Sequence, residues 1–228
     1  MRSMKTILIA TVGEQTKPIY EGFNKVKDID KIYLLCSETT KRFAEEIRKN
    51  ILNIYSDVEL IVTSASELHA ILEDLHKHVD YRRNDKIVSN ITGGTKVMTL
   101  ALYIYTMLLN GEAFYIFKNE DESMEFFRLP CLKFNYRDIF GSKGHRYKIA
   151  KLLLFKPRNQ TEIAKELKLK DSTVSAHIEK MRQEGIVNIH YRGREKEIEL
   201  TLFGKAMVWV YEIEKKKSEM DWFETNEK

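Results

Sequence analysis

Cysteine is scarce in this sequence, with only Cys36 and Cys131 among 228 residues. The two lie far apart and outside any metal-ligand spacing. We therefore expect a reducing, cytoplasmic setting in which both are small, buried or half-buried side chains. The six histidines are also scattered, and His76 and His78, two apart on a predicted helix, point to different sides. The sequence therefore predicts no metal site.

Long apolar runs are lacking as well, since none approaches the ~20 residues that span a bilayer. The first residues lead straight into a short apolar run, and they lack the long h-region and small-residue cleavage site of a secretory signal. We expect a protein that has no membrane partner.

Excess charge of one sign is confined to the C-terminal part of the chain. The net charge is +4, and residues 143–228 contain 19 Lys and Arg against 14 Asp and Glu. The preceding residues carry 19 against 20. A length of 228 residues favours two domains, and the basic excess belongs to the second. That excess suits a nucleic-acid partner, although it is small enough to be an ordinary solvated surface.

The first 129 residues alternate short apolar strands with segments of helical periodicity. Strands are predicted at residues 5–12, 32–36, 59–63 and 86–90, and helices at residues 18–27, 39–55, 67–79 and 95–109. The second helix is expected to bury Phe43, Ile47, Ile51 and Ile54. Near-continuous apolar strands between helices indicate an α/β fold with a Rossmann-like, doubly wound, mainly parallel sheet. Two further strands, at residues 112–117 and 123–129, are expected to form a hairpin.

The least ordinary segments follow the first and fourth strands, where doubly wound sheets commonly bind ligands at their switch point. Residues 90–98 read NITGGTKVM and open into a helix. Adjacent glycines, threonine hydroxyls, the Lys96 charge and the helix N-terminus suit a phosphate. Neither a Gly-x-Gly-x-x-Gly fingerprint after the first strand nor a P-loop is present, so we expect no NAD, ATP or other cofactor. The predicted ligand-binding residues are Thr11, Gly13, Glu14, Gln15, Thr16, Asn90, Thr92, Gly93, Gly94, Thr95, Lys96 and Met98.

The segment NITGGTKVM, together with the Thr11-Val12-Gly13 turn, resembles the two signature loops of CARF domains, the CRISPR-associated Rossmann fold. The resemblance spans roughly residues 4–129, and a C-terminal winged helix is a known companion of this domain. It implies a homodimer that binds a cyclic oligoadenylate, most often a ring of four adenylates, around its two-fold axis. Lys96, Thr95 and the amides of Gly93 and Gly94 would contact phosphates, and residues 11–16 would lie near the riboses.

The resemblance also leaves two activities open. CARF proteins either sense the messenger and drive an attached effector or cleave the ring within the pocket. No Arg-x4–6-His pair of a HEPN ribonuclease follows the first domain, and no triad or carboxylate cluster is visible. Ring cleavage needs only in-line positioning of a ribose 2′-hydroxyl and a cation. Lys96 could supply the cation, with Thr11, Gln15 or Thr16 positioning the ribose.

The C-terminal third has the pattern of a winged helix-turn-helix. A helix is predicted at residues 146–155, and a second begins at an Asn159 N-cap with Glu162 completing a capping box. A third helix, capped by Asp171 or Ser172, runs to about residue 183 and buries Val174, Ile178 and Met181. The string DSTVSAHI resembles the recognition helix of many winged-helix regulators. Residues 186–191 and 195–200 are expected to form a wing around Arg192-Gly193-Arg194.

This pattern predicts contacts with double-stranded DNA. The DNA-binding residues that it indicates are Ser172, Thr173, Ser175, His177, Lys180, Arg192 and Arg194. His177 either contacts a phosphate or packs against the neighbouring helix. Ala176 lies where related helices often carry an Arg or Lys that reads guanine, which argues against tight specific binding. A winged helix that acts only in protein contacts is the alternative.

Four segments are expected along the chain. Residues 1–129 form a CARF-like sensor domain, residues 130–144 a linker, residues 145–211 the winged helix-turn-helix, and residues 212–228 a C-terminal helix or tail. The leading hypothesis is a regulator of CRISPR loci in which messenger binding shifts the spacing of two winged helices.

Overall fold

A computed structural model describes residues 4–82, 84–133, 135, 139–140, 144–192 and 195–212, with the backbone alone at residues 192 and 195. The chain divides into two compact units, with the boundary between residues 134 and 135. None of the helices in these described ranges combines the length and the apolar character needed to cross a bilayer.

The first unit is a six-stranded sheet with helices between its strands. Its elements are β1 (Thr6–Thr11), α1 (Lys17–Asn24), β2 (Lys31–Ser37), α2 (Lys41–Ile51), β3 (Val58–Thr63), α3 (Leu68–His78), β4 (Lys86–Asn90), α4 (Lys96–Leu108), β5 (Glu112–Lys118) and β6 (Met124–Leu129). The strand order is β3-β2-β1-β4-β5-β6. All neighbours pair in parallel except β5 and β6, which form the expected hairpin. The predicted Rossmann-like class is confirmed.

The core of this unit explains why its strands are apolar without alternation. Residues 7–12 are buried in succession, because helices cover both faces of the sheet. Hydrophobic side chains from α1 and α2 pack on the face that includes Leu8 and Val88. Cys36 is free and lies in this core, and burial raises the pKa of its thiol to about 11.

The predicted second helix was too long, and its buried face was partly wrong. The helix ends at Ile51, four residues before the expected end, so Ile54 lies outside it and is 74% exposed. Within α2 the buried residues are Ala44, Ile47 and Ile51, and Phe43 is only half-buried. The first helix likewise ends at Asn24 rather than at residue 27.

The second unit is a winged helix-turn-helix. Its elements are α5 (His145–Leu153), β7 (Arg158–Asn159), α6 (Gln160–Leu167), α7 (Asp171–Gln183), β8 (Val187–Arg192), β9 (Glu195–Leu200) and a last helix, α8, at residues 202–212. The three strands are ordered β7-β9-β8 and pair antiparallel. The predicted wing is therefore present as a strand pair.

Local capping in the second unit matched the sequence at one helix and differed at the next. The Asn159 side chain accepts from the Glu162 amide at 2.8 Å, and the Glu162 carboxylate accepts from the Asn159 amide at 3.2 Å, so the capping box is confirmed. The cap predicted at Asp171 or Ser172 was wrong. Lys170 is the N-cap of α7 and makes no side-chain cap bond, because the helix already begins at Asp171.

An aromatic cluster holds the start of this unit to its last helix. The Phe140 ring is buried and lies 5.8 Å from the Tyr147 ring and 4.9 Å from the Tyr211 ring, measured between centroids. Phe140 falls in the segment expected to be a linker, and it packs within the second unit. The other two aromatic residues of that segment, at positions 134 and 136, lie outside the described residues, as do residues 213–228.

Candidate ligand and DNA sites

The two glycine-bearing loops meet at the carboxyl edge of the sheet because β1 and β4 are direct neighbours. Ala10 is paired with Asn90, so both strands end at the same level. A Cβ on Gly13 would lie 2.8 Å from the Gly94 amide nitrogen, and one on Gly93 would lie 2.8 Å from the Gly13 amide nitrogen and closer still to the Thr11 carbonyl. The two loops therefore touch through their main chains, and only glycine allows this approach.

The hydroxyl groups in these loops brace the loops themselves. Thr92 Oγ1 donates to Asn90 Oδ1 at 2.5 Å and accepts from the Ile116 amide at 2.9 Å. Thr11 Oγ1 donates to the Asn90 carbonyl at 3.4 Å, and both residues are fully buried. The side chains of Thr11, Asn90 and Thr92, which the sequence assigned to ligand contact, form hydrogen bonds that hold the two strand ends in place.

The Thr95 hydroxyl also forms its hydrogen bonds within the chain. Its Oγ1 accepts from the Met98 amide at 3.2 Å as the N-cap of α4 and donates to the Ala65 carbonyl at 2.5 Å. This second bond brings the loop after β3 to the site, a segment that sequence reasoning missed. Ser64 Oγ accepts from the amides of Ser66 and Glu67 there, at 3.3 and 3.0 Å. A run of Ser and Glu after a strand was the signal available.

Sequence reasoning also missed the loop after β2. Ser37 Oγ lies 2.8 Å from Thr39 Oγ1 and 3.2 Å from Thr40 Oγ1, so three hydroxyls cluster where β2 ends. Parallel strands end at one edge of the sheet, which places this cluster and the loop after β3 at the same edge as the glycine loops.

Main-chain amides and one cation remain available at the glycine loops. Among the described residues, none accepts a hydrogen bond from the amides of Gly94, Thr95 or Lys96, which form the N-terminus of α4. The Lys96 side chain is exposed and forms none of the ion pairs found between described residues. This arrangement favours an anion through free N–H groups, the helix dipole and a positive charge.

The remaining predicted ligand residues differ in exposure. Glu14 and Gln15 are exposed, whereas Thr16 is half-buried as the N-cap of α1, where its carbonyl accepts from Ile19. Met98 is fully buried beneath the loop. The structure thus brings the predicted residues of both loops together, but only some of these residues are exposed to solvent.

The recognition helix α7 buries Val174, Ile178 and Met181 as predicted. Ser172, Ala176 and Lys180 are exposed, and Thr173 and Ser175 are half-buried. An ion-paired group occupies the later part of its outer face. The Arg182 guanidinium donates twice to the Glu179 carboxylate, at 2.7 and 3.0 Å, and Gln183 Nε2 donates to the same carboxylate at 3.1 Å.

His177 packs against the neighbouring helix, the second of the two roles considered for it. Its ring meets the His145 ring of α5 edge to face, with 5.6 Å between centroids. Burial lowers the pKa of His177, and the nearby His145 and Arg146 lower it further. Next to this pair, the buried Arg146 guanidinium donates to both Glu184 oxygens, at 2.8 and 2.9 Å.

The basic wing tip predicted to contact DNA falls largely outside the described residues. Arg194 is not described, and Arg192 is described only as the last backbone position of β8. Before it, the exposed Tyr191 ring lies 6.0 Å from Lys196 Nζ.

Comparison with known families assigns a family profile to each of the two units. The profile of the Card1 CARF domain matches residues 7–131, which is more than half of the chain. The chain belongs to the CARF domain family. A second profile, that of the bacterial regulatory proteins of the arsR family, matches residues 144–188. A CARF domain joined to an ArsR-type helix-turn-helix indicates a DNA-binding transcription regulator.

Individual relatives of this CARF protein are distant. An uncharacterized protein of Archaeoglobus fulgidus is 25% identical over 194 residues, which cover 80% of this chain and 87% of that protein. Reduced HlyU from Vibrio cholerae is 28% identical with a TM-score of 0.27, covering 28% of this chain and 68% of HlyU. The homodimeric winged helix-turn-helix DNA-binding domain Mb0332 from Mycobacterium bovis, a possible ArsR-family transcriptional regulator, is 17% identical with a TM-score of 0.33, covering 38% of this chain and 78% of that domain.

Proposed function

We propose that this CARF protein is a homodimeric transcription regulator that binds a cyclic oligoadenylate, with a ring of four adenylates as the first candidate, and changes its DNA binding in response. The observation that carries the proposal is the main-chain contact between the loops after β1 and β4, which leaves the N-terminus of α4 open beside Lys96. As an extension of CARF membership, we assign it to the cytoplasm and to CRISPR-linked antiviral defence.

Phosphate recognition follows from the groups that remain available. Hydrogen bonds from Thr92 and Thr95 already hold the loops that carry the amides of Gly94, Thr95 and Lys96. Little further ordering of these amides is therefore needed when an anion binds. A phosphodiester carries one negative charge, which the helix N-terminus and an ammonium group both stabilise. A neutral sugar could accept hydrogen bonds from these amides but would not gain the attraction of the helix dipole and the ammonium group.

A second copy of the chain fits the exposed side of α4. Lys96, Leu100, Tyr103 and Met107 follow each other at i, i+4, i+7 and i+11, with the first two exposed and the last two half-buried. Lys96 is the only charged residue of the helix. Leu100 is 50% exposed, which is unusual for a helix that is apolar on all sides. Pairing of two copies along this stripe would bring two Lys96 side chains toward one ligand.

The hairpin carries a second apolar surface that suits the same partner. Tyr115, Phe117 and Phe127 line an open groove with Ile91, and the two phenylalanine rings are each 46% exposed. Tyr115 pairs directly with Phe127 across the two strands, so these rings form one face. Exposed contiguous apolar surface of this kind favours association, and a two-fold symmetric ring matches a two-fold symmetric pair.

The coupling to DNA is a population shift. The ring can alter the spacing of two winged helices only if it binds one dimer geometry more tightly than another. DNA affinity must then change on ring binding by the same factor by which DNA changes ring affinity.

Ring binding is tested by titrating the full chain with labelled cyclic tetra-adenylate and with the linear tetra-adenylate. We expect tight binding of the ring only, and at least tenfold weaker binding by Lys96→Ala, because charge-assisted contacts contribute about 1.5–3 kcal/mol. Lys49→Ala is the matched control, since Lys49 is exposed in the last turn of α2. Equal affinity of the two lysine variants would refute the site.

The same incubation decides between sensing and ring cleavage. Recovery of intact ring supports a sensor, whereas conversion to linear di-adenylate that Lys96→Ala abolishes would make the protein a ring nuclease. The buried Thr11 hydroxyl, which donates to the Asn90 carbonyl, is not placed to position a ribose.

The dimer and the DNA contact each have a direct measurement. Leu100→Glu is expected to give a monomer by light scattering, while Leu52→Glu, at a site that is 42% exposed just after α2, is expected to leave the dimer intact. The logarithm of the DNA-binding constant, measured by gel retardation, should fall linearly with the logarithm of the salt concentration. A monomeric wild type, or no retardation at low salt, would contradict the proposal.

A further inference from the structure

We propose that Ala176 is a base-reading residue of the recognition helix and that its methyl group selects thymine by contact with the thymine C5-methyl. This inference rests on the proposed DNA binding. It concerns which base the helix favours, a property that neither the fold nor the family determines.

The position of Ala176 on α7 is the first support. Ser172, Ala176, Glu179 and Gln183 follow each other at i, i+4, i+7 and i+11, and they form the stripe opposite the buried Val174, Ile178 and Met181. A helix that lies in the major groove presents the stripe opposite its own core to the base edges. Ala176 is therefore central in the part of the helix that faces the bases.

Three long side chains on the later part of the outer face are already committed to one another. Arg182 would read guanine, Gln183 adenine and Glu179 cytosine, if each were available. Instead, Arg182 donates two hydrogen bonds to Glu179, and Gln183 donates a third. Reading a base with any of them would require breaking this group first.

The first half of the stripe then offers a hydroxyl and a methyl group. The Ser172 hydroxyl can donate or accept, so it distinguishes bases poorly. The Ala176 methyl has one specific partner in the major groove, because thymine alone among the four DNA bases carries a C5-methyl group. We expect sites selected from random DNA to carry thymine at the position that Ala176 faces.

The test removes only that methyl group. The best selected duplex is compared with copies in which single thymines are replaced by deoxyuridine, which keeps every hydrogen-bonding group. Wild type should lose about fourfold in affinity at one thymine of each half-site, the ratio that corresponds to burial of one methylene-sized group, about 0.8 kcal/mol. Ala176→Gly should bind thymine and deoxyuridine duplexes equally.

Lys180→Gly is the matched control, because it places a glycine in the same helix and removes an exposed cation. It should weaken binding to both duplexes alike and keep their ratio. Ala176→Arg should shift the selected base toward guanine.

The failure of this inference is distinguishable from that of DNA binding. Salt-dependent retardation with equal affinity for thymine and deoxyuridine at every position would overturn the role of Ala176 and leave the regulator intact. A thymine preference that persists in Ala176→Gly would overturn it too. No retardation at any salt concentration would refute both.

Discussion

Replacing Gly93 by alanine is the most direct test of the contact between the two loops. The new Cβ would lie 2.8 Å from the Gly13 amide nitrogen and closer to the Thr11 carbonyl oxygen. Non-bonded heavy atoms prefer about 3.5–4.0 Å, so the shortfall is about 1 Å. Both neighbours are main-chain atoms, and Thr11 is paired with Leu35 in the sheet, so no rotamer change can relieve the overlap.

The cost should therefore fall at the upper end of what overpacking causes. Such insertions typically cost about 1–3 kcal/mol, and we expect about 3 kcal/mol because two central strands must separate at their ends. Differential scanning calorimetry of the full chain measures the loss in the transition of the first unit. Binding of cyclic tetra-adenylate should disappear together with it.

A second glycine variant separates the steric effect from backbone strain. Gly185 has a φ of +71° and no atom within 4 Å of the place that a Cβ would take, so Gly185→Ala should cost only the roughly 1–2 kcal/mol of a left-handed residue. The reasoning would be refuted if the free energy of unfolding of Gly93→Ala lay within about 0.5 kcal/mol of the wild-type value and the variant bound the ring normally. The contact between the two loops would then not require glycine at this position.

Three other predictions concern single polar groups. Thr92→Val should cost about 1–3 kcal/mol because it leaves a main-chain amide without its acceptor, whereas Thr92→Ser should be nearly neutral by urea unfolding. Glu184→Gln should destabilise the second unit by about 2 kcal/mol, since the buried Arg146 guanidinium loses its charged partner, and Arg146→Met in the same background should recover part of that loss. Because the folded pKa of His177 lies below its ordinary value, stability of the second unit should fall as pH drops below about 6.5; His177→Gln should remove this dependence, and His78→Gln should not.

Features that depend on a few neighbouring residues were predictable from the sequence. The capping box at Asn159 and Glu162 is local, and so is the order of strands and helices in the first unit. The glycines of residues 90–98 were expected to let the main chain approach a ligand, and the close approach seen in the structure is to the loop after β1. The adjacency of β1 and β4 followed from the usual order of doubly wound sheets.

Features that depend on distant partners were not predictable. The threonines of the loops were expected to face a ligand, but the amide that engages Thr92 belongs to Ile116, 24 residues away. The carbonyl that engages Thr95 belongs to Ala65, 30 residues away. Periodicity also failed at the end of α2, because a repeating apolar pattern continued into the turn that contains Ile54.

Because the threonines of the loops form hydrogen bonds within the chain, they limit which properties of a ligand the site can recognise. Amides and one ammonium group sense charge and the separation between phosphates, and they are indifferent to which base is attached. In the proposed dimer, each copy holds one such set of amides at a fixed place. Discrimination among rings of different size would then belong to the distance between copies, so a mutation in the subunit contact could change which messenger is recognised without touching the loops.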